Sequence, residues 1–349
     1  MKSESFSPEL NFALKTAREA AGLAESVRLK QGSSSFIKHD RSPVTVADFS
    51  IQALFAARLE KEFPGDALVA EEDALDLLKT AQQPLWKQVQ EWVRHFLPEA
   101  DEKKILSWIE KGGAKATGRY WVLDPVDGTK GFLSGEQYAV ALALIENGTV
   151  KLGVLACPNL REGHFADVGG PGTLAFAEKG KGAWQTPLSL SFSSSPGAVI
   201  PAKAGIHFPP TDLQPLKVSS CKKLSDAVLL RSCDETHMNV EKTENLLKNL
   251  NMTKPPIEMS SLAKHAMLAA GGADFFLRLL PSKNPGYREK IWDQAPGLVI
   301  IEEAGGLLTD SEGKPLDFTH GRTLAQNRGL LGANPHLHPQ ILSALKQII

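Results

Sequence analysis

The chain has 349 residues, of which 39 are Lys or Arg and 40 are Asp or Glu, giving a formal net charge of −1 at neutral pH. That balance excludes the global basic field that would hold nucleic acid or an acidic membrane, so any anionic ligand must be captured locally. With 42% hydrophobic and 23% charged residues, the composition is that of an ordinary globular protein and excludes disordered, collagen-like and coiled-coil classes.

Ser7-Pro8 reads as an N-cap followed by a first-turn proline, and Leu10, Ala13, Leu14, Ala17, Ala21 and Ala24 recur at helical spacing. A second helix is expected from Asp48 to Phe63, where Ile51, Leu54, Phe55, Leu59 and Phe63 share a face and Pro64-Gly65 stops it. The apolar run Ala67-Leu68-Val69-Ala70 reads as a strand ending in Glu71-Glu72-Asp73, and residues 74–111 look mainly helical. Tyr120–Leu123 is a β-rich run that breaks into the turn formers Asp124-Pro125-Val126-Asp127-Gly128-Thr129. Ala139–Ile145, Asn147-Gly148 and Val150–Leu155 carry the signal of a hairpin with a type I′ turn, so an antiparallel sheet is expected in the first half.

Residues 191–215, rich in Ser and Pro, read as a long exposed loop or insertion. Beyond it, strands alternate with helices. Helices are expected over Val240–Leu250, Ser261–Ala270 and Ile291–Ala304, with a strand at Asp274–Leu280. The expected organisation is an α+β domain over 1–190, the insertion 191–215, and an α/β domain over 216–349. Cys157, Cys221 and Cys233 show no C-x-x-C spacing, and neither a signal peptide nor a membrane span is apparent. A cytoplasmic protein with no nucleic-acid or membrane partner is expected.

Four acids stand at element ends: Glu71, Asp124, Asp127 and Asp293, with Asp48 a fifth. Carboxylates without His or Cys partners suit a hard cation such as magnesium. Asp124, Asp127 and the Val126 carbonyl can converge across the proline turn, where two ions ~3.5 to 4 Å apart could share them. Taken singly, each has a plainer reading: a turn for 124–129, a solvated charge run for 71–73, a helix cap for Asp48. A lone Asp293 in a buried helix is odder, because it lacks an evident partner. No P-loop, H-E-x-x-H or G-x-S-x-G motif occurs.

Four segments taken together resemble the successive motifs of the lithium-sensitive, magnesium-dependent phosphatases, the superfamily of inositol monophosphatase and fructose-1,6-bisphosphatase. They are Ser42–Asp48, Val69–Asp73, Trp121–Phe132 and Ile291–Ala295. The extension Thr129–Tyr138, the stretch Tyr287–Asp293, and Leu316-Asp317-Phe318 with Gly321-Arg322 are similar to the 3′(2′),5′-bisphosphate nucleotidase branch. Ala70 departs from the glycine common at that point, and the insertion is not part of the pattern.

The resemblance implies an α/β fold layered as an αβαβα sandwich, binding two or three Mg²⁺ ions through Glu71, Asp124, the Val126 carbonyl, Asp127 and Asp293. Asp48 and Thr129 would polarise the attacking water, and the Gly128 and Thr129 amides would cradle phosphate. Ser261, Lys264, Arg278 and His237, with Asp293, would hold the rest of a nucleotide bisphosphate. Lys264 and Arg278 offer a point charge and a fork for a 5′-phosphate, against the alternatives of a solvated lysine and a structural ion pair; a lone histidine such as His237 is usually surface. The implied reaction removes the 3′-phosphate of adenosine 3′,5′-bisphosphate and extends to 3′-phosphoadenylyl sulfate. The alternatives are an inositol mono- or polyphosphate 1-phosphatase and an inactive nucleotide-binding sensor. Oligomeric state is not legible.

Overall fold

In the computed structural model, residues 6–31, 36–37, 43–77, 83–188, 213–232, 239–280, 284 and 286–346 are described. The first helix spans Pro8–Gln31, with Ser7 Oγ accepting the Leu10 amide at 3.1 Å. Leu10, Ala13, Leu14, Ala17, Ala21 and Ala24 are all buried, so the helical spacing marks the face laid against a large sheet beside a second helix, Val46–Glu62.

Among the described residues the large sheet has seven strands, in the order Gln214–Pro215, Ala183–Pro187, Thr173–Glu178, Thr149–Cys157, Ala139–Glu146, Arg119–Asp127, Ala67–Ala70. Every pairing is antiparallel except the last, which is parallel. The expected hairpin is present, with Asn147 (φ 49°) and Gly148 (φ 75°) both left-handed as a type I′ turn requires. Ala139–Ile145 is buried throughout, because both faces of the sheet are covered: the first two helices lie on one side and the helix Ala295–Glu303 on the other. At Gly153 a Cβ would stand 2.4 Å from the Pro296 carbonyl, so only glycine lets that helix approach so closely.

The small sheet runs Ile257–Glu258, Leu229–Arg231, Phe275–Arg278, Leu330–Ala333, Leu307–Thr309. The first three strands are parallel and the remaining pairings antiparallel. Alternation sorts its side chains: Leu230, Phe276 and Leu330 face the helices Ala263–Ala269 and Ala295–Glu303 between the sheets. Leu229, Phe275, Leu277 and Leu331 face the outer helices Val240–Asn249 and His338–Leu345. The described elements thus stack as helix, sheet, helix, sheet, helix, and the core between the sheets joins Tyr120, Val122 and Leu155 to Ala266, Ile300 and Leu308.

Several boundaries differ from expectation. The helix expected from Asp48 begins at Val46, because Thr45 and not Asp48 is its N-cap. The turn expected at 124–129 is instead the end of the strand Arg119–Asp127, followed directly by a helix, Thr129–Ser134. The late helix starts at Ala295, leaving Asp293 in the preceding turn. Of the segment 191–215, residues 191–212 lie outside the described residues, whereas Gln214–Pro215 forms an exposed edge strand against Trp184 and Gln185. No helix among the described residues is long and apolar enough to cross a membrane.

Candidate active site

On a regular strand, residues three apart face opposite sides of the sheet. Asp124 pairs with Ala141 and Asp127 with Ala139, so the strand carries one more residue than its partner over this stretch. This bulge restores Asp124 and Asp127 to one side, and Pro125, which has no N–H to donate, is tolerated within it. Asp293 arrives from the turn before helix Ala295–Glu303, and one carboxylate oxygen from each of Asp124, Asp127 and Asp293 lies within 4.8 Å of the other two.

The electrostatics of this trio are those of a site short of positive charge. Burial first, and then Glu71, Asp127, Asp293 and Asp48, push the Asp124 carboxyl well above the usual carboxylate range. Burial, followed by Asp127, Glu71 and Glu289, raises Asp293 in the same way, with Arg278 partly countering. Asp127 is pushed up to about 6 by burial, against the opposing pull of the Leu262 amide, which donates to its Oδ2, and of Lys264. Buried carboxylates that repel one another, with oxygen as the donor atom throughout, fit a hard divalent cation.

Glu71 follows the strand Ala67–Ala70 and extends its parallel pairing, its amide donating to the Leu123 carbonyl at 3.2 Å. Its carboxylate is not one of the converging three, but it stands close enough to raise both Asp124 and Asp293. The loop is held by Gln52, a fully buried residue on the helix that carries Asp48. Gln52 Nε2 donates to the Glu72 and Ile109 carbonyls, each at 2.8 Å, and its Oε1 accepts the Glu72 amide at 3.0 Å. The sequence reading missed Gln52. Its signal was an amide four residues after Asp48, on an otherwise apolar helix face, where a buried polar group must find partners.

Asp48 is the third residue of its helix and closes a capping box: its Oδ2 accepts from the Thr45 amide at 2.7 Å and the Thr45 hydroxyl at 2.5 Å. Thr129 opens the helix Thr129–Ser134, and its hydroxyl donates to the Val126 carbonyl at 3.1 Å. Gly128 before it is left-handed (φ 84°), and a Cβ there would meet Ser261 at 2.8 Å.

A pocket runs from Asp127 and Asp293 to Ser261, Lys264 and Arg278, with Leu230, Phe276 and Leu330 as its apolar wall. Ser261 and Lys264 are nearly buried. The Arg278 fork is anchored: its Nη1 pairs with Glu289 Oε2 at 2.7 Å, and buried Glu289 also accepts from Gln294 Nε2 at 3.2 Å. Burial alone would lower the Arg278 pKa, but Glu289, Tyr287, Asp293 and Asp127 outweigh it and hold the guanidinium firmly charged. His265, also unforeseen, stacks on Phe276 with ring centroids 4.7 Å apart, and its Nδ1 is buried without a hydrogen-bond partner. His237 lies outside the described residues.

Residues 6–349 match the model of the inositol monophosphatase family. A 3′(2′),5′-bisphosphate nucleotidase of Oryza sativa is 36% identical over an alignment covering 99% of this chain and 95% of that protein. One from Schizosaccharomyces pombe is 34% identical, covering 97% and 95%. Among solved structures, an IMPase of Thermotoga maritima superposes with a TM-score of 0.64 at 22% identity, covering 98% of each chain, a likeness of fold. The five-layered arrangement, the convergence of the three acids and the full-length match agree, and the chain belongs to the inositol monophosphatase family.

Proposed function

We propose that this protein is a magnesium-dependent phosphatase that hydrolyses the 3′-phosphate of adenosine 3′,5′-bisphosphate to AMP and phosphate, with 3′-phosphoadenylyl sulfate as a further substrate. The observation that carries this reading is the pocket joining Asp127 and Asp293 of the acid trio to Lys264 and Arg278, because a bisphosphate needs cationic contacts away from the bond that breaks. The relatives' names support the same substrate class. We place it in the reducing cytoplasm, where the thiols of Cys157 and Cys221, both free, are expected to persist.

Two or three Mg²⁺ ions would be held by Glu71, Asp124, the Val126 carbonyl, Asp127 and Asp293. When bound, these cations supply Lewis-acid charge to the phosphoryl group. The chain's own residues do the rest. The Thr129 hydroxyl, fixed through the Val126 carbonyl, and the Asp48 carboxylate orient the attacking water and draw off its proton. The Gly128 and Thr129 amides receive phosphate oxygens. Water adds to phosphorus, the bond to the ribose 3′-oxygen breaks, and that oxygen takes up a proton. Lys264 and the Glu289-anchored Arg278 bind the 5′-phosphate, and Ser261 and His237 complete the substrate contacts.

Phosphate release measured across adenosine 3′,5′-bisphosphate, 3′-phosphoadenylyl sulfate and inositol mono- and bisphosphates tests the reading. A preference for the nucleotide is expected. A wide margin for an inositol phosphate would replace the nucleotidase reading with an inositol phosphatase, and absence of turnover on every substrate would leave a binding module.

A further inference from the structure

We infer that Arg322 is a positioning residue that ties the loop carrying Glu71 to the turn carrying Asp293, and thereby sets the cation affinity of the site. The inference rests on the assignment of Glu71 and Asp293 as metal ligands. The Arg322 guanidinium donates to the Ala70 carbonyl, immediately before Glu71, and through Nη1 to the Gly112 carbonyl at 2.9 Å. Gly112 belongs to the segment that borders the strand Ala67–Ala70, since its own carbonyl also accepts the Ala70 amide at 2.9 Å. On its other side the guanidinium carbon lies 4.8 Å from the ring centroid of Trp292, immediately before Asp293. The backbone repeats the connection: the Arg322 carbonyl accepts the Ile291 amide at 3.2 Å, Lys290 bridges Thr323, and the Leu324 amide donates to the Glu289 carbonyl at 2.9 Å.

The charge of Arg322 is used differently from those of Arg119 and Arg278. Arg119 and Arg278 face carboxylates. Arg322 is partly buried and forms no salt bridge with any described residue; its partners are two carbonyls and an indole ring. Burial of the guanidinium is costly and is offset only in part by the charge of nearby Asp73, with which it forms no ion pair; the geometry returned for that cost is a link between the two loops. Lysine has neither the divergent donors nor the flat face, so it can reproduce only part of the link. None of these contacts is with an acid of the site, so the effect on the cation is transmitted through the backbone of Ala70 and Trp292.

The test uses the full chain and binding of Mn²⁺ alone, followed by electron paramagnetic resonance without substrate, beside steady-state kinetics in Mg²⁺. Arg322→Ala should weaken Mn²⁺ binding about 10- to 100-fold, as loss of an outer support of a metal site does, and raise the half-saturating Mg²⁺ concentration in step. Arg322→Lys should fall between it and the parent. The Michaelis constant for substrate at saturating Mg²⁺ should stay nearly unchanged, and free guanidinium at low concentration should restore part of the lost affinity of Arg322→Ala. Asp293→Asn serves as reference. If it loses Mn²⁺ while Arg322→Ala binds normally, the coupling inference is overturned and the site assignment stands. If neither variant changes binding, the site assignment itself has failed and the inference falls with it. An affinity loss that guanidinium does not restore would show general loosening and overturn the inference. Should Arg322→Ala not fold, unchanged Mn²⁺ affinity in Arg322→Lys overturns it instead.

Discussion

Asp124 is buried and crowded by four other carboxylates, so in the metal-free protein it opposes folding while it prepares the site. Asp124→Asn keeps the volume and removes the charge. Its melting temperature in chelator should therefore rise, while Mg²⁺ affinity and turnover fall by orders of magnitude. A parent-like activity would remove Asp124 from the metal site. Arg278 presents the reverse case: it neutralises buried Glu289 and, in the proposed reading, would also bind the 5′-phosphate. Loss of a charge-assisted phosphate contact is worth about 1.5 to 3 kcal/mol, or roughly 10- to 150-fold in the specificity constant. Arg278→Ala should show that loss on adenosine 3′,5′-bisphosphate and a much smaller one on a substrate without the 5′-phosphate, together with a lowered melting temperature from the unpaired Glu289. Equal losses on both substrates would make the arginine purely structural. The convergence of Asp124 and Asp127 was legible in their spacing, whereas Asp293 joined them only through the family resemblance. Gln52 and Glu289 were not legible, because their role exists only when segments far apart in sequence meet.

At the scale of elements, hydrophobic periodicity located the first helix, the hairpin and the strand Ala67–Ala70, since each has its own local signal. The run from Asp124 to Thr129 could not be placed that way. Its Pro, Asp and Gly residues signal a turn, yet pairing with Ala139–Glu146 keeps Asp124–Asp127 in the sheet as a bulge, and pairing partners are invisible to local propensity. The start of helix Val46–Glu62 shows the same blending of structure and chemistry, with Thr45 both capping the helix and hydrogen-bonding Asp48. Thr45→Ala should cost about 1 kcal/mol of stability through the lost cap. It should also lower turnover at saturating Mg²⁺, because Asp48 loses the hydroxyl that fixes its carboxylate. Chemical denaturation and steady-state rates together check this; a stability loss with unchanged turnover would confine Thr45 to capping.

Over the whole molecule, the raised acids make stability depend on pH and metal together. For Asp127, lifted to about 6, the unfolded chain gives up its proton near the ordinary value of about 4 while the native protein still holds it. Metal-free stability should therefore fall as pH rises from about 4 through the folded values of the trio. A cation relieves that repulsion, so the rise in melting temperature caused by Mg²⁺ should be small at pH 5 and larger at pH 8. An increment independent of pH would contradict the electrostatic account. The two sheets and their shared core were legible as classes of element, but not the way helix Ala295–Glu303 is clasped between them, which depends on the bare surface at Gly153. That clasp also orders assembly in time. Asp124 and Asp127 belong to the large sheet and Asp293 to the turn leading into the clasped helix, so the three oxygens meet only after the second half of the chain has docked. A cation held there would act as a latch fastened last: Mg²⁺ should slow unfolding in proportion to its occupancy and leave the refolding rate nearly unchanged, a split that stopped-flow measurements with and without chelator would expose.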